Sequence, residues 1–136
     1  MPLTMHSELI QAALQTRHNA YAPYSNFQVG AAILTEHGEI FTGCNVENSS
    51  FGLTICAERS AVSAMVASGS TTIAKICIAS PGAAPPCGAC RQVMAEFGNS
   101  FEVLLVDADS QIVKQRWKMA DLLPGQFHFP PKSSAE

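Results

Sequence analysis

A chain of 136 residues has the length of one domain and can bury a hydrophobic core without disulfides or other staples. Hydrophobic residues make up 47% of the chain and charged residues 14%, which is typical of a soluble globular protein. The formal net charge of −3 excludes a general attraction to nucleic-acid backbones or anionic membranes, so we expect neither as a partner. Residues 1–20 lack the continuous apolar core of a signal peptide, and we therefore expect a cytoplasmic protein.

The hydrophobic pattern predicts helices and strands in alternation. Apolar residues at helical spacing predict a first helix over 4–20. Two short apolar runs, 27–36 and 39–46, predict an antiparallel hairpin joined at His37-Gly38. The later elements are predicted as a helix over 55–68, a strand over 74–80, a helix over 88–97, strands over 102–107 and 111–116, and a short helix near 119–123.

This order predicts an α/β fold, a three-layer α/β/α sandwich around a five-stranded mixed sheet. The sheet is expected to be mixed because the chain contains both hairpins and crossovers. The link between the last two strands is too short for a crossover helix, so these strands must be antiparallel. We expect a single domain over residues 1–136, with a disordered tail at 130–136.

The cysteines supply the strongest chemical signal. Cytoplasmic thiols stay reduced, so the five cysteines are better suited to be ligands, catalytic groups or buried small hydrophobes than disulfide partners. Cys87 and Cys90 form a C-x-x-C pair in "PPCGACRQ", a spacing shared by zinc sites and redox dithiols. Upstream, "TICAERSA" places Cys56 and Glu58 in the first turn of another predicted helix.

Two helix N-termini can converge above a sheet, where three thiolates would gain from both positive dipole ends. Three protein ligands leave a fourth position of a zinc ion to water, whereas a structural zinc site is closed by four. Glu58 follows Cys56 by two residues and can reach that water without being a ligand. The spacing therefore predicts an open zinc site that activates water.

At this point the sequence resembles the zinc-dependent cytidine deaminases. The resemblance extends over residues 20–127 through "YAPYSNFQVGAA", "GCNVENSSFG", "ICAERSA", "PCGACRQ" and "LLPGQF". It implies one Zn²⁺ per chain on Cys56, Cys87 and Cys90, and hydrolysis of cytidine and deoxycytidine to uridine, deoxyuridine and ammonia in pyrimidine salvage. Glu58 would carry the proton of the attacking water first to N3 and then to the departing amino group.

The resemblance also implies roles for residues around the ligands. Arg59 would donate hydrogen bonds to the thiolates and draw charge off the metal, although it could instead be a solvated helix residue. Asn45 and Glu47 would hold the ribose, the alternative being a polar turn after a strand. Phe27 would pack on the pyrimidine ring, although an aromatic residue at the start of a strand is more often core. Ala57 is placed among the substrate-binding residues.

Phe51 and Phe127 match positions that complete the pocket of a neighbouring subunit in the family. They imply a homotetramer with shared active sites, because one small chain cannot close such a site against water. Pro85 departs from the family pattern, in which serine is common, so any contact there to the leaving amine is an open question.

Two other functions remain open at the level of the sequence. One is a deaminase of a nucleoside antibiotic such as blasticidin S, which shares the zinc signature. The other is a non-catalytic zinc-binding module with a fourth ligand from Cys44 or Cys77, two residues that otherwise fit as buried fillers in strands. Glu58 argues against the module, since a structural site has no use for a carboxylate there.

Overall fold

The computed structural model describes residues 3–129, and the predicted tail at 130–136 lies outside them. The helices are α1 (Leu3–Thr16), α2 (Ala57–Ala67), α3 (Gly88–Ala95) and α4 (Met119–Leu122). The strands are β1 (Gly30–Thr35), β2 (Ile40–Cys44), β3 (Ile73–Ser80), β4 (Glu102–Asp107) and β5 (Val113–Lys118). Short 3₁₀ turns cover Arg17–Asn19 and Phe51–Leu53.

Over residues 3–129 the strands form one five-stranded sheet in the order β2-β1-β3-β4-β5. β1 is antiparallel to both β2 and β3, β3 is parallel to β4, and β4 is antiparallel to β5. The parallel pair needs a crossover, and α3 lies within it, as expected for a βαβ unit. The expected mixed sheet with an antiparallel last pair is confirmed.

Alternate residues of the central strands face two separate hydrophobic clusters, as the two-residue period of a strand requires. One cluster joins the sheet to α2, α3 and α4 through Ile33, Ile76, Ile78, Val103, Leu105, Met65, Met94 and Met119. The other joins the sheet to α1 through Leu9, Ala13, Leu14, Ala32, Leu34, Cys77, Ala79, Leu104 and Val106. The sheet therefore separates α1 from the helices that carry the candidate ligands.

Gly43 in β2 determines how closely α2 approaches the sheet. A Cβ atom at this position would lie 2.3 Å from the backbone nitrogen of Ala61 and 2.7 Å from the carbonyl oxygen of Ala57. These distances are far inside van der Waals contact, so a side chain here would push α2 outward. Glycine thus positions the helix whose first turn carries Glu58.

Several predicted boundaries were wrong. α1 ends at Thr16, not at residue 20, β2 ends at Cys44, not at residue 46, and β5 ends at Lys118, not at residue 116. Two strand starts also differ. β1 begins at Gly30, not at residue 27, because the preceding segment bends at Asn26, whose φ is 56°. β5 begins at Val113, not at residue 111, because the turn after β4 continues to Gln111, whose φ is 63°. Phe27 therefore lies in an irregular segment before the strand.

Candidate active site

Three cysteines lie together at the N-terminal ends of α2 and α3. Cys56 is the N-cap residue of α2, Cys87 is the N-cap residue of α3, and Cys90 lies in the first turn of α3. The three sulfur atoms all lie within 4.8 Å of one another, and the Sγ atoms of Cys56 and Cys87 are 4.0 Å apart. The predicted convergence of two helix N-termini is present in the structure.

This set of donors fits a zinc ion. Thiolates at the usual Zn–S distance of about 2.3 Å in a tetrahedral arrangement are separated by about 3.8 Å. The observed 4.0 Å between two of the sulfurs is close to that separation. Sulfur donors are also the type that zinc accepts in proteins. Cys56, Cys87 and Cys90 could therefore hold the metal without a rearrangement of the two helices.

Cys56 and Cys90 change each other's pKa in opposite directions. A hydrogen bond with Cys90, helped by Arg59, lowers the pKa of Cys56 to about 5, whereas the same hydrogen bond and burial raise the pKa of Cys90. The hydrogen bond therefore favours the thiolate form at Cys56 and disfavours it at Cys90. A metal ion would displace the remaining thiol protons, since thiolate is the ligating form.

Arg59 lies against the thiols and is not a solvated surface residue. Its Nη2 donates a hydrogen bond to the Sγ of Cys56 at 3.3 Å. Its Nε is buried and has no hydrogen-bond partner among the described residues. The guanidinium is therefore placed to offset the negative charge of the sulfurs, although its effect on a bound metal stays a prediction.

Glu58 is buried, with 5% of its surface exposed, in the first turn of α2. Desolvation by burial is the main cause that raises the pKa of its carboxyl group, and the neighbouring Cys56 also raises it. A carboxyl group with a raised pKa gains and loses a proton more readily near neutral pH. The structure places this group beside the sulfur cluster and in the same cavity.

One cavity of about 300 Å³ brings together most of the predicted site residues. Its lining comprises Ser25, Phe27, Val29, Asn45, Glu47, Thr54, Cys56, Ala57, Glu58, Ile78, Ser80, Ala84, Pro85 and Cys87. Cys90 is fully buried behind this lining. The metal-binding and ribose-binding residues predicted from distant parts of the sequence therefore face the same space.

Directly after β2, Asn45 continues the pairing of β1 with β2 through its side chain. Its Oδ1 accepts a hydrogen bond from the backbone nitrogen of Val29 at 2.9 Å, and its Nδ2 donates one to the carbonyl oxygen of Phe27 at 2.8 Å. The amide keeps one N–H and one lone pair for a ligand. Asn45 thus holds Phe27 at the edge of the cavity.

Glu47 is anchored to the segment before β1. Its Oε1 accepts hydrogen bonds from the backbone nitrogens of Tyr24 and Ser25 at 2.9 and 3.2 Å, and its Oε2 accepts one from the Ser25 hydroxyl. The Ser25 hydrogen bond is the main cause that lowers the pKa of this carboxyl group. Glu47 is therefore ionised and keeps lone pairs for a hydroxyl donor.

Sequence reasoning missed several residues of the lining. Ser25 belongs to the quoted motif "YAPYSNF", which was a signal for its importance but not for its bond to Glu47. Thr54, the first residue of "TICAERSA", and Ser80, the last residue of β3, are ordinary polar residues at the ends of predicted elements, and no signal in the sequence indicated a place in the cavity. Only the tertiary packing brings them to it.

Phe51 and Phe127, the remaining predicted site residues, are both exposed, and neither lines the cavity that holds the thiols. Phe51 is 72% exposed and stacks edge-to-face on Tyr24, with ring centroids 5.6 Å apart. Both rings line a neighbouring cavity of about 250 Å³ that shares Ser25, Glu47 and Thr54 with the first. Phe127 is 66% exposed and lies outside both linings, where its carbonyl oxygen accepts a hydrogen bond from Gln92.

Comparisons with known proteins place this architecture in a family. A family model described as "Cytidine and deoxycytidylate deaminase zinc-binding region" matches residues 3–106. The chain belongs to this family. A probable cytidine deaminase of Dictyostelium discoideum is 49% identical over 121 residues, which cover 87% of this chain and 80% of the relative. A cytidine deaminase of Sporosarcina psychrophila is 44% identical over 123 residues, which cover 88% of this chain and 89% of the relative.

Solved structures of the deaminase family share the fold of this chain. The cytidine deaminase from Burkholderia pseudomallei has a TM-score of 0.83 at 46% identity, covering 90% of this chain and 98% of that one. The cytidine deaminase from Mycobacterium tuberculosis has a TM-score of 0.78 at 38% identity, covering 91% and 98%. The expected cytidine deaminase-like fold is therefore confirmed.

Two further expectations can be compared with the structure. In residues 3–129, the cysteines close enough to share a metal are Cys56, Cys87 and Cys90. Cys77 belongs to the cluster on the α1 side of the sheet, so it cannot be the fourth ligand of a closed zinc site.

No helix in the described part of the chain is long and apolar enough to cross a membrane.

Proposed function

We propose that the protein is a zinc-dependent hydrolase that converts cytidine and deoxycytidine to uridine and deoxyuridine with release of ammonia. The observation that carries this proposal is one cavity whose lining contains a buried carboxyl group, Glu58, two of the three clustered thiols and the Asn45–Glu47 pair. Such a cavity suits a pyrimidine nucleoside, with the amino group placed beside Glu58 and the thiols and the ribose beside Asn45 and Glu47.

Cys56, Cys87 and Cys90 would hold one zinc ion per chain, and zinc bound there supplies a Lewis acid that makes a water molecule acidic enough to act as a nucleophile near neutral pH. Three thiolates carry more negative charge than neutral imidazole ligands would. Arg59, which donates to the Cys56 sulfur, compensates part of that charge.

Glu58 is the proton carrier. Its carboxylate takes one proton from the attacking water and gives it to N3 of the pyrimidine. Once the water oxygen has bonded to C4, the carboxylate takes the second proton from that oxygen and delivers it to the amino group, so that the C4–N bond breaks, the C4=O bond forms and ammonia leaves. Burial excludes bulk solvent from this path and raises the pKa of the carboxyl group. The proton therefore stays between the substrate and one side chain until ammonia leaves.

The far end of the cavity binds the sugar and orients the ring. Phe27 packs against the pyrimidine, and the Glu47 carboxylate accepts a hydrogen bond from a ribose hydroxyl. None of the described lining residues is Lys or Arg, and Glu47 is anionic, so a 5′-phosphate would be repelled. The substrate is therefore a nucleoside and not a nucleotide.

The Asn45–Glu47 pair also favours a ribonucleoside or deoxyribonucleoside over a nucleoside antibiotic. Its polar groups are fixed by bonds to Val29, Phe27, Tyr24 and Ser25, so the pair is pre-organised for hydroxyl donors. A ligand without a matching hydroxyl would cover the remaining lone pairs of the Glu47 carboxylate without supplying a donor to them, which is costly.

The active enzyme is a homotetramer in which subunits complete one another's cavities. Support comes from the exposed apolar side chains around the ribose end, Tyr24, Phe51 and Leu53, which are 50%, 72% and 66% exposed. Grouped exposed apolar surface marks contact sites. Phe127, also exposed, would reach the cavity of a neighbour. The free cysteines suit the reducing cytoplasm, where the reaction serves pyrimidine salvage.

A substrate panel tests this function. Zinc-loaded protein is incubated with cytidine, deoxycytidine, CMP, cytosine and blasticidin S, and ammonia release is measured against the Glu58→Gln variant as a blank. We expect turnover of both nucleosides and far slower release from the other three. Turnover confined to blasticidin S would favour the antibiotic deaminase, and no release from any compound would refute the enzyme.

A further inference from the structure

The loop at 81–86 forms the wall of the cavity next to the thiols. Ala84 and Pro85 line the cavity, and the loop leads directly into Cys87. Gly82 and Ala83 both have left-handed backbone conformations, with φ of 76° and 55°. Alanine rarely adopts such a conformation, and it persists only where surrounding contacts impose it. Something outside the loop must therefore hold it in place.

Ser80 and Asp107 provide those contacts. They are opposite each other at the last position of the parallel pair β3–β4. The backbone nitrogen of Gly82 donates to Asp107 Oδ1 at 2.9 Å, that of Ala83 to the Ser80 carbonyl oxygen at 3.1 Å, and that of Ala84 to Ser80 Oγ at 2.8 Å. Three successive N–H groups of the loop thus end on these two residues.

The second carboxylate oxygen of Asp107 is bound to the turn that follows β4. Oδ2 accepts hydrogen bonds from the backbone nitrogen of Ser110 at 3.0 Å and from its hydroxyl at 2.7 Å. These hydrogen bonds, with that from Gly82, hold the pKa of Asp107 well below its usual range. The carboxylate therefore joins two loops that are separated in sequence and acts as an anionic acceptor throughout the neutral pH range.

The loop position matters for the chemistry proposed above, on which this step rests. In cytidine the sugar is attached to N1 and the amino group to C4, at opposite positions of the ring. With the sugar beside Asn45 and Glu47, the amino group lies at the thiol end, against the wall formed by Ala84, Pro85 and Cys87. A displacement of this wall would change the space from which ammonia leaves.

We infer that Asp107 is a positioning residue for the deamination: its hydrogen bond to Gly82 sets the loop that places Pro85 beside the amino group and leads into Cys87. It touches neither the substrate nor the thiols. It acts through the backbone of the loop, and its loss is expected to lower turnover more than substrate binding.

Three variants separate this role from a general contribution to stability. Asp107→Ala removes the acceptor for Gly82, whereas Asp107→Asn keeps a carbonyl oxygen that can accept from Gly82. Ser110→Ala is the matched control, because it removes one hydrogen bond to the same carboxylate and leaves the bond to Gly82 intact. Each variant is purified with zinc, and its metal content and thermal unfolding midpoint are measured.

Amide hydrogen exchange of Gly82, Ala83 and Ala84 in the zinc-loaded protein is the readout that does not depend on activity. We expect exchange to accelerate about tenfold or more in Asp107→Ala and to stay near the original rate in the other two variants. Unchanged exchange in Asp107→Ala would overturn the inference. If cytidine is not a substrate at all, the proposed function fails while this measurement still decides the anchoring role.

Kinetics with cytidine then test the consequence for the reaction. We expect kcat of Asp107→Ala to fall about tenfold or more, because small misplacements at a reacting centre are costly, while KM changes by less than about threefold. Asp107→Asn should recover most of kcat, and Ser110→Ala should keep it. Equal kcat values in Asp107→Ala and Ser110→Ala would overturn the inference. If Asp107→Ala does not fold, Asp107→Ser takes its place, because the serine side chain is too short for its hydroxyl to reach Gly82. We expect the same fall in kcat with little change in KM.

Discussion

Three thiols and Glu58 lie at the N-terminal ends of two helices, the thiol end of the cavity, whereas Asn45 and Glu47 lie in irregular chain after β2, at the proposed ribose end. At the thiol end Cys90 is fully buried and Glu58 is 5% exposed, while Cys56 is half-buried and Cys87 is exposed. At the proposed ribose end Asn45 is 8% exposed, while Phe27 and Phe51 are 39% and 72% exposed. Each end thus combines a buried polar group, Glu58 or Asn45, with side chains that solvent or a neighbouring subunit can contact.

The two ends also differ in what holds them. Helix backbone determines the positions of Cys56, Glu58 and Cys90, so their geometry follows from the first turns of α2 and α3. At the ribose end, side-chain bonds from Asn45 and Glu47 to neighbouring backbone perform that task. Substitutions at the thiol end should therefore lower zinc content and kcat. Substitutions at the ribose end should mainly raise KM.

The largest effect is expected for Cys56→Ala. Two remaining thiols hold zinc too weakly at ordinary concentrations, so we expect zinc content and activity to fall together to background. Elemental analysis and ammonia release measure both. Cys44→Ala, which changes a half-buried thiol in β2 that lies outside the cluster, is the control and should keep its zinc. Full zinc content in Cys56→Ala would remove this residue from the ligand set.

Glu58→Gln should lower kcat about 10²- to 10⁴-fold, because the amide cannot carry a proton. Zinc content should be unchanged, since the residue is not a ligand. Glu36→Gln, in the exposed turn between β1 and β2, is the matched control and should behave like the original protein. Turnover close to the original in Glu58→Gln would rule out its role as proton carrier.

Glu47→Gln should lower kcat/KM for cytidine about 10- to 100-fold, mainly through KM, because a hydrogen bond to a charged group is lost. Since the pKa of Glu47 is lowered, the original protein should keep a constant KM through the neutral range and weaken only as pH falls below the usual range of a glutamate. Steady-state kinetics measure both. Glu8→Gln, on the exposed face of α1, should change neither, and an effect on kcat alone in Glu47→Gln would contradict a role in binding.

The smallest effect is expected for Phe51→Ala. Loss of an aromatic contact should raise KM for cytidine about 2- to 10-fold and weaken subunit association. Sedimentation and activity are measured together over a range of protein concentrations. Ile112→Ala, which removes a comparably exposed apolar side chain from the turn before β5, is the control. A fully active monomer would refute the shared cavity.

Sequence by itself determined the order of the elements, the mixed sheet and the placement of Cys56 with Glu58, and of Cys87 with Cys90, at two helix starts. These features depend on relations between residues a few positions apart, such as helical spacing, N-cap position and loop length. Such relations are set by local backbone geometry, which sequence patterns report directly. Cys56 and Cys87 are 31 positions apart, so their meeting was predicted only with the help of the resemblance, and the structure brings them together.

Only the tertiary structure decided that Phe27 lies outside β1, that Ser25 binds Glu47, and that Phe127 does not line the cavity of its own chain. It alone showed that Asp107, at the end of a strand, holds the loop before Cys87 through Gly82. These relations join backbone and side chains from separate loops, and their partners are chosen by the packing of the sheet and helices. A hydrogen bond between residues far apart along the chain leaves no spacing in the sequence by which it could be found.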